Sequence, residues 1–250
     1  MEGIEDLSNF INKERERFET RENNLFANSF KEIIRYHNFL KIILRRYKLL
    51  VSENAKVFYE FQESIDKSPG SHRETDKQAE IRRKMTELAE EIHSEVESFY
   101  MFFKILVDKI SFSVQYYFGK SRKVKMSGHH SMVEKFNDSA DLKIIKYCVE
   151  KGLTIKKAFI EKMKIIQNEI LDFRDDQIVH NSSPRIIRGT GVDGTMSVHK
   201  ALYPEIGEET KSSTSLKPEQ VMSDLNDYIE LLIAFINDNR EKTVLPIRKA

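Results

Sequence analysis

The residues that could carry out chemistry are concentrated in one short stretch, residues 171–182. Arg174 and His180 stand there with five residues between them. Asp175 directly follows the arginine, and Asn181 directly follows the histidine. An imidazole with its ordinary pKa of about 6.5 takes or gives a proton near neutral pH, and a guanidinium presents a fork of donors that suits phosphate charge. The stretch therefore predicts acid–base chemistry on an anion.

The spacing of Arg174 and His180 sets a geometric constraint. Six residues of ideal α-helix rotate by about 600°, so the two side chains would point about 120° apart and lie about 9 Å apart along the axis. They meet only if the helix ends or bulges between them, or if two chains assemble the site. In a simpler interpretation, Arg174 is a surface residue in an acidic cluster and His180 ends its helix near the carbonyl dipole.

This pattern resembles the HEPN superfamily (higher eukaryotes and prokaryotes nucleotide-binding), whose mark is an arginine followed after a short spacer by a histidine. Many members carry a polar residue directly after the arginine, as Asp175 does here. The match of the motif is close, whereas the match of the helical region, about residues 75–240, is loose. The resemblance implies a bundle of helices and a homodimer in which two motifs face each other.

The resemblance also implies an activity, metal-independent cleavage of RNA without a cofactor. His180 would exchange a proton with the ribose 2′-hydroxyl or the leaving 5′-oxygen, and Arg174 would stabilise charge on the scissile phosphate. The product would be a cyclic phosphate. Asp175 would orient Arg174 or His180, and Asn181 would hold the phosphate or fix the imidazole tautomer.

Several biological roles are open within this resemblance. A ribonuclease of this type would serve as a toxin or in stress or antiviral defence, with an inhibitor or regulatory partner. Some members only bind nucleotides or scaffold partners, so a non-catalytic binding protein of the same fold is the alternative. A third possibility is a regulatory protein that assembles through its N-terminal helices.

A second candidate region is the stretch of residues 119–130, which is predicted to be a loop. It holds four basic residues and no acidic one. Each lysine or arginine that contacts a phosphate releases counterions from the nucleic acid, so the loop would bind an RNA backbone. The alternative is a solvated, mobile loop without a binding role. The candidates for binding RNA, including two residues beyond the motif, are Lys120, Arg122, Lys123, Lys125, Arg185 and Arg188.

Three further patterns carry less information. The aromatic residues 116–118 suit base stacking, but at helical spacing some of them must be core. His129 and His130 with His93 or His199 show no known metal-ligand spacing, so no metal is predicted. The glycines of residues 189–194 spell a nucleotide-loop pattern without the strand and helix that such a loop needs.

Composition favours helices. The chain has 250 residues, of which 40% are hydrophobic and 32% are charged, so it can bury a sizeable core. Only 9 glycines and 5 prolines occur, which leaves long uninterrupted spans. The 41 basic residues nearly cancel the 40 acidic ones and give no global sign of nucleic-acid binding. The single cysteine, Cys148, excludes an intrachain disulfide and is predicted to be a buried thiol.

The predicted helices follow from periodicity and breakers. Residues 4–67 predict one or two long helices, and residues 74–118 predict another whose apolar second half is central. A helix capped by Asn137 or Asp138 follows, ending at Gly152.

The C-terminal half completes an all-α prediction. A helix over about 154–180 and a last helix from Pro218 are expected to pack on residues 99–118, and the irregular stretch between them is long enough to be functional or disordered. The expected fold is an antiparallel helical bundle of the HEPN type, residues 71–250, with additional long N-terminal helices, residues 1–70. These either complete the bundle or form an arm or dimer element.

Neither a signal peptide nor a membrane span is predicted. The N-terminus lacks a basic region and an apolar run, and no segment approaches the ~20 apolar residues that a span needs. A cytoplasmic location without a membrane partner is therefore expected.

Overall fold

A computed structural model describes residues 2–66, 75–137, 139–172 and 218–248. Within these ranges the chain is helical, and its only extended pairings are two isolated bridges. The predicted all-α bundle is therefore confirmed. In chain order the elements are α1 (Glu2–Arg15), α2 (Thr20–Asp66), α3 (Asp76–Phe118), α4 (His129–Val133), α5 (Lys143–Lys151), α6 (Lys157–Ile165), a π-helix (Ile166–Leu171), α7 (Pro218–Asp238) and a 3-10 helix (Arg240–Lys242).

Helix α3 is the central element, and its ends follow from local chemistry. Thr75 and Gln78 form a capping box in which the Thr75 Oγ1 accepts from the Gln78 amide, and the Gln78 Oε1 accepts from the Thr75 amide. The helix stops at Gly119, whose φ of 82° suits a glycine. Its apolar second half is buried as predicted, including Phe99, Phe103, Leu106, Ile110, Val114 and Phe118.

Helices α2 and α3 form a long antiparallel hairpin. Pairs that join them run in opposite directions along the two helices: Glu32–Lys109, Tyr36–Phe102, Arg46–Glu95 and Glu53–Lys84. The far end of the hairpin, residues 50–66 and 75–88, extends beyond the main core and is called the arm. It is held by a small core of its own, built on Val57, Ile81, Met85 and Leu88.

The main core joins the N-terminal helices to the rest of the bundle. Buried residues of α1 and of the first half of α2 belong to the same cluster as those of α3, α5, α6 and α7. Phe235 of α7 lies 5.5 Å from Phe118 of α3, which confirms the predicted packing of the last helix. Helix α6 packs chiefly on α7, where Phe159 contacts Tyr228 at 5.5 Å and Phe235 at 5.3 Å between ring centroids.

A buried cluster of charges ties the two ends of the chain together. The Glu14 carboxylate, 2% exposed, binds Arg17 and Arg240 and accepts a hydrogen bond from the Tyr117 hydroxyl at 2.5 Å. Arg17 reaches on to Glu241 at 3.1 Å. This charged cluster fixes α1 against α3 and the 3-10 helix.

Two predicted helix starts are wrong, one for a local and one for a distant reason. Helix α5 begins at Lys143 after Leu142, because Lys135 and Leu142 form a bridge that closes a turn in which Asn137 takes a φ of 51°. Asp138 lies outside the described residues. The predicted end of α5 at Gly152 is confirmed, with a left-handed φ of 65°.

The start of α6 moves from about 154 to Lys157. The Thr154 amide donates to Asn239 Oδ1 at 2.7 Å, and the Asn239 side chain donates back to the Thr154 carbonyl at 2.8 Å. These bonds hold Thr154 against the end of α7, so the helix begins after it.

Two smaller predictions concern single properties of the chain. Cys148 is buried, and burial raises the pKa of its thiol to about 12, which confirms an unreactive thiol. None of the helices in the described ranges combines the length and the apolar character that a membrane-spanning segment requires.

Candidate functional site

The residues of the predicted Arg–His motif lie outside the described part of the chain, as do the two arginines after it. The residues concerned are Arg174, Asp175, His180, Asn181, Arg185 and Arg188. The structure does describe the helix that leads toward them, as far as Asp172, and the predicted basic loop. These two elements define the surroundings of the candidate site.

The helix that leads toward the motif changes its winding before it reaches Asp172. Helix α6 gives way at Ile166 to a π-helix that runs to Leu171. The Asp172 amide donates to the Gln167 carbonyl, which is the five-residue bond of a π turn. Such turns are rare and occur frequently at functional sites.

The side chain of Gln167 is buried beside this turn, where it binds two partners. Its Nε2 donates to Asp172 Oδ1 at 2.8 Å, and its Oε1 lies 3.3 Å from His129 Nδ1. Because an ionised carboxylate only accepts hydrogen bonds, the amide must turn its NH₂ group toward Asp172 and its oxygen toward His129. The proton of the neutral His129 ring therefore sits on Nδ1.

His129, the first residue of α4, is fully buried. Burial lowers its pKa from 6.5 to about 4, against the opposing effects of Gln167 and of the Asp108 charge, so the ring is neutral at pH 7. Its ring meets that of Tyr228 edge to face at 5.5 Å between centroids. Neither His129 Nε2 nor the Tyr228 hydroxyl has a hydrogen-bond partner among the described residues.

Asp108 of α3 fixes the backbone at the start of α4. Its Oδ1 accepts from the His129 amide at 2.8 Å. Gly128 lies so close that a Cβ there would come within 2.6 Å of the same oxygen. A side chain at position 128 would therefore displace the Asp108 carboxylate. We call the connected set Asp108, His129, Gln167 and Asp172 the polar relay.

The stretch of residues 119–128, called the basic loop, is anchored at its start. The Glu150 carboxylate accepts from the Ser121 hydroxyl at 2.5 Å and from the Arg122 amide at 3.3 Å. The Tyr147 hydroxyl donates to the Gly119 carbonyl at 2.8 Å. Ser121 Oγ in turn accepts from the Val124 amide at 2.7 Å.

The far end of the basic loop is anchored too, whereas its cations face solvent. Gln115 of α3 donates to the Met126 carbonyl at 3.0 Å, and both Val124 and Met126 are buried. The side chains of Lys120, Arg122, Lys123 and Lys125 are exposed, and none forms an ion pair with a residue of the described chain. The loop thus presents four exposed positive charges on a fixed backbone, with the Glu150 carboxylate as a nearby negative charge that interacts with Lys123.

The structure also shows the surroundings of the predicted aromatic and histidine candidates. Tyr117 and Phe118 are core residues, so only Tyr116, which is half-buried, keeps the predicted possibility of stacking a base. His130 pairs with Glu134 at 3.2 Å, and His93 pairs with Glu97 at 3.0 Å. These two histidines and His129 therefore have separate partners.

The sequence pattern does not predict the polar relay. It places His129 only in a basic loop or a metal site, and it does not single out Gln167 or Asp172. One signal was present, because Gln167 stands between Ile166 and Ile170 on the buried face of an otherwise apolar pattern. A buried amide needs partners, and that requirement points to a polar group on a facing element.

Comparison of the chain with protein-family models, with curated proteins and with solved structures finds no match in any of the three.

Proposed function

We propose that the chain is a metal-independent endoribonuclease of the HEPN type, in which Arg174 and His180 act on the scissile phosphate of RNA. The observation that carries the proposal is the Arg174–His180 pattern, which follows directly on a described helix of an all-α bundle. The exposed cations of the basic loop, which form no ion pair with a described residue, support a polyanionic substrate.

The proposed reaction is a transfer within the RNA. His180 accepts the proton of a ribose 2′-hydroxyl, whose oxygen attacks the adjacent phosphorus while the bond to the 5′-oxygen breaks. The leaving oxygen takes up a proton, so the products are a 2′,3′-cyclic phosphate and a 5′-hydroxyl. Proton transfer by a positioned histidine contributes about 10²- to 10⁴-fold in rate. Arg174 stabilises the charge on the phosphate, with Asp175 and Asn181 orienting the pair.

We propose a homodimer for the assembly of this site. On a regular helix Arg174 and His180 would point about 120° apart, so two copies facing each other bring complementary groups together more simply than one. Such an enzyme fits a cytoplasmic toxin, stress or defence role in which an inhibitor or regulatory partner restrains it.

The decisive experiment measures RNA cleavage in EDTA by the full chain and by Arg174→Ala and His180→Ala variants. His130→Ala and Arg83→Ala are matched controls, because both remove exposed side chains that pair with a nearby glutamate. We expect wild type and controls to yield cyclic-phosphate ends, and each motif variant to lose at least about a hundredfold in rate.

Three outcomes would contradict the proposal. Cleavage that persists in either motif variant removes the site, and cleavage that needs a divalent metal removes the mechanism. RNA or nucleotide binding without cleavage favours the non-catalytic binding protein of the same fold.

The basic loop is tested separately by changing its four cations to glutamine. The affinity for single-stranded RNA depends on salt with a log–log slope of about −0.7 for each phosphate contact, so we expect the slope to become shallower by about 3. A control changes four cations of the arm, namely Lys56, Lys77, Arg83 and Lys84. An equal loss in both variants would show that the loop has no special role.

A further inference from the structure

The polar relay connects three separate elements of the bundle. Asp108 belongs to α3, His129 begins α4, and Gln167 lies in the π-helix. Successive bonds run from the Asp108 carboxylate to the His129 amide, from the His129 ring to the Gln167 amide, and from there to Asp172. The last described residue before Arg174 is thereby linked to the central helix through these hydrogen bonds and the His129 backbone.

The π turn and the bond between Gln167 and Asp172 depend on each other. In a regular α-helix, residues five apart point about 140° away from each other and cannot bond through their side chains. In the π-helix the same two residues are joined twice, through the Asp172 amide to the Gln167 carbonyl and through their side chains at 2.8 Å. The side-chain bond therefore selects the π winding over the α winding.

The two central residues of the relay are shielded from water, whereas Asp108 and Asp172 are half-buried. His129 is 0% exposed and Gln167 is 4% exposed. A buried amide that loses its partners costs about 1–3 kcal/mol, so it does not exchange freely between partners. The acceptor character of Asp172 fixes the amide, and the amide fixes the histidine tautomer.

We propose that His129 and Gln167 are positioning residues, which hold the π turn and so set the direction in which the chain leaves Asp172 toward the Arg174–His180 motif. A π turn corresponds to one residue inserted into an α-helix, so relaxing it to α-helix would turn the following chain by about 100°. The expected effect of these residues on cleavage rests on the proposed function. Their expected effect on the π turn rests on the relay bonds alone.

The same relay connects the helix that ends at Asp172 to the basic loop. Gly128 ends that loop and packs on Asp108, and the next residue, His129, is the relay's centre. The loop that is proposed to bind the RNA backbone and the helix that ends at Asp172 thus share one support.

The experiment combines two variants with two measurements. Gln167→Met keeps the length of the side chain and removes both bonds. The double variant Gln167→Glu with Asp172→Asn restores them with donor and acceptor exchanged, because the new amide donates to the new carboxylate, which also accepts from His129 Nδ1. Gln78→Met is the control, since it removes a similarly buried amide that donates to Ser64 in the arm.

The first measurement is kinetic, with RNA as substrate in EDTA. We expect kcat to fall about a hundredfold in Gln167→Met, as for an Ångström-scale misplacement, with KM changed less than about threefold. The double variant should recover to within about threefold of wild type, and Gln78→Met should keep its kcat. Unchanged kcat in Gln167→Met, while the Arg174→Ala variant is inactive, would overturn the positioning role.

The second measurement follows the His129 ring by NMR of the ¹⁵N-labelled full chain. We expect a slowly exchanging Nδ1 proton in wild type, on a neutral ring, and in the double variant, and loss of that proton signal in Gln167→Met. Its absence in wild type would overturn the relay whatever the kinetics. If wild type fails to cleave RNA, the proposed function and the positioning role fall, while the spectra still decide whether the relay exists.

Discussion

The charged cluster around Glu14 and the polar relay around His129 both have a buried centre. They differ in how many of their buried polar atoms have a hydrogen-bond partner. Each oxygen of the Glu14 carboxylate is bonded, and so is the Tyr117 hydroxyl. Only Arg240 Nε lacks a partner there among the described residues. In and beside the relay, His129 Nε2 and the Tyr228 hydroxyl both lack one.

The difference follows from what each cluster connects. The charged cluster joins α1 to α3 and the 3-10 helix, where breaking a pair would leave a buried charge, so both oxygens of the Glu14 carboxylate are paired with arginines. The relay uses neutral groups at its centre, where an unpaired atom costs less. A buried unsatisfied atom in a native protein calls for an explanation. Here it lies beside the helix that leads to the only motif predicted to do chemistry.

The largest expected effect is on the charged cluster. Glu14→Ala leaves Arg17 and Arg240 without their central partner, so we expect the free energy of unfolding to fall by about 3–5 kcal/mol in urea titrations. Glu241→Ala is the control, because it removes another partner of Arg17 whose side chain is 76% exposed. The control should lose at most about 1 kcal/mol. A similar loss in both variants would show that burial does not distinguish the two carboxylates.

The sequence predicted the elements whose ends are set locally. Thr75 with Gln78, Gly119, Gly152 and Pro218 lie where α3, α5 and α7 begin or end, and the predictions there agree to within about two residues of assignment. The failure at the start of α5 comes from the turn closed by the bridge between Lys135 and Leu142, which periodicity does not reveal. The failure at the start of α6 has a distant cause, because Thr154 is held by Asn239, which is 85 residues away in the chain.

The candidate site was less predictable than the fold. The charges and the position of the basic loop were predictable, because a run of cations between helices is visible in the sequence. The π turn was not, because the Gln167 side chain that selects it must also satisfy His129, which reaches it through the tertiary fold. Periodicity alone reads such a segment as ordinary helix.

A second expected effect is a dependence of stability on pH, since burial lowers the pKa of both His37 and His129 to about 4. The unfolded chain binds a proton at each histidine below pH 6.5, whereas the folded chain does not until about pH 4. Stability is therefore fully present above pH 6.5 and falls as the pH drops toward 4. We expect a loss of about 2 kcal/mol for each histidine between pH 7 and pH 5.

Unfolding free energies of wild type, His37→Gln and His129→Gln at pH 7 and pH 5 measure this dependence. Each variant should show a pH difference smaller by about 2 kcal/mol than that of wild type. His130→Gln is the control, because that ring is exposed. A wild-type stability that stays level between the two pH values would refute neutral burial of these rings.

The smallest expected effect compares the two clusters through two buried tyrosines, one beside each cluster. The Tyr117 hydroxyl donates to the Glu14 carboxylate, so Tyr117→Phe removes a bond to a charged group and should cost about 1.5 kcal/mol. The Tyr228 hydroxyl has no partner among the described residues, so Tyr228→Phe should change the free energy of unfolding by less than about 0.5 kcal/mol. Because both changes delete one buried oxygen, the difference between the two variants measures the hydrogen bonds of Tyr117, which also accepts from Arg17 at 3.5 Å. A clear loss in Tyr228→Phe would instead mean that its hydroxyl is bonded in solution.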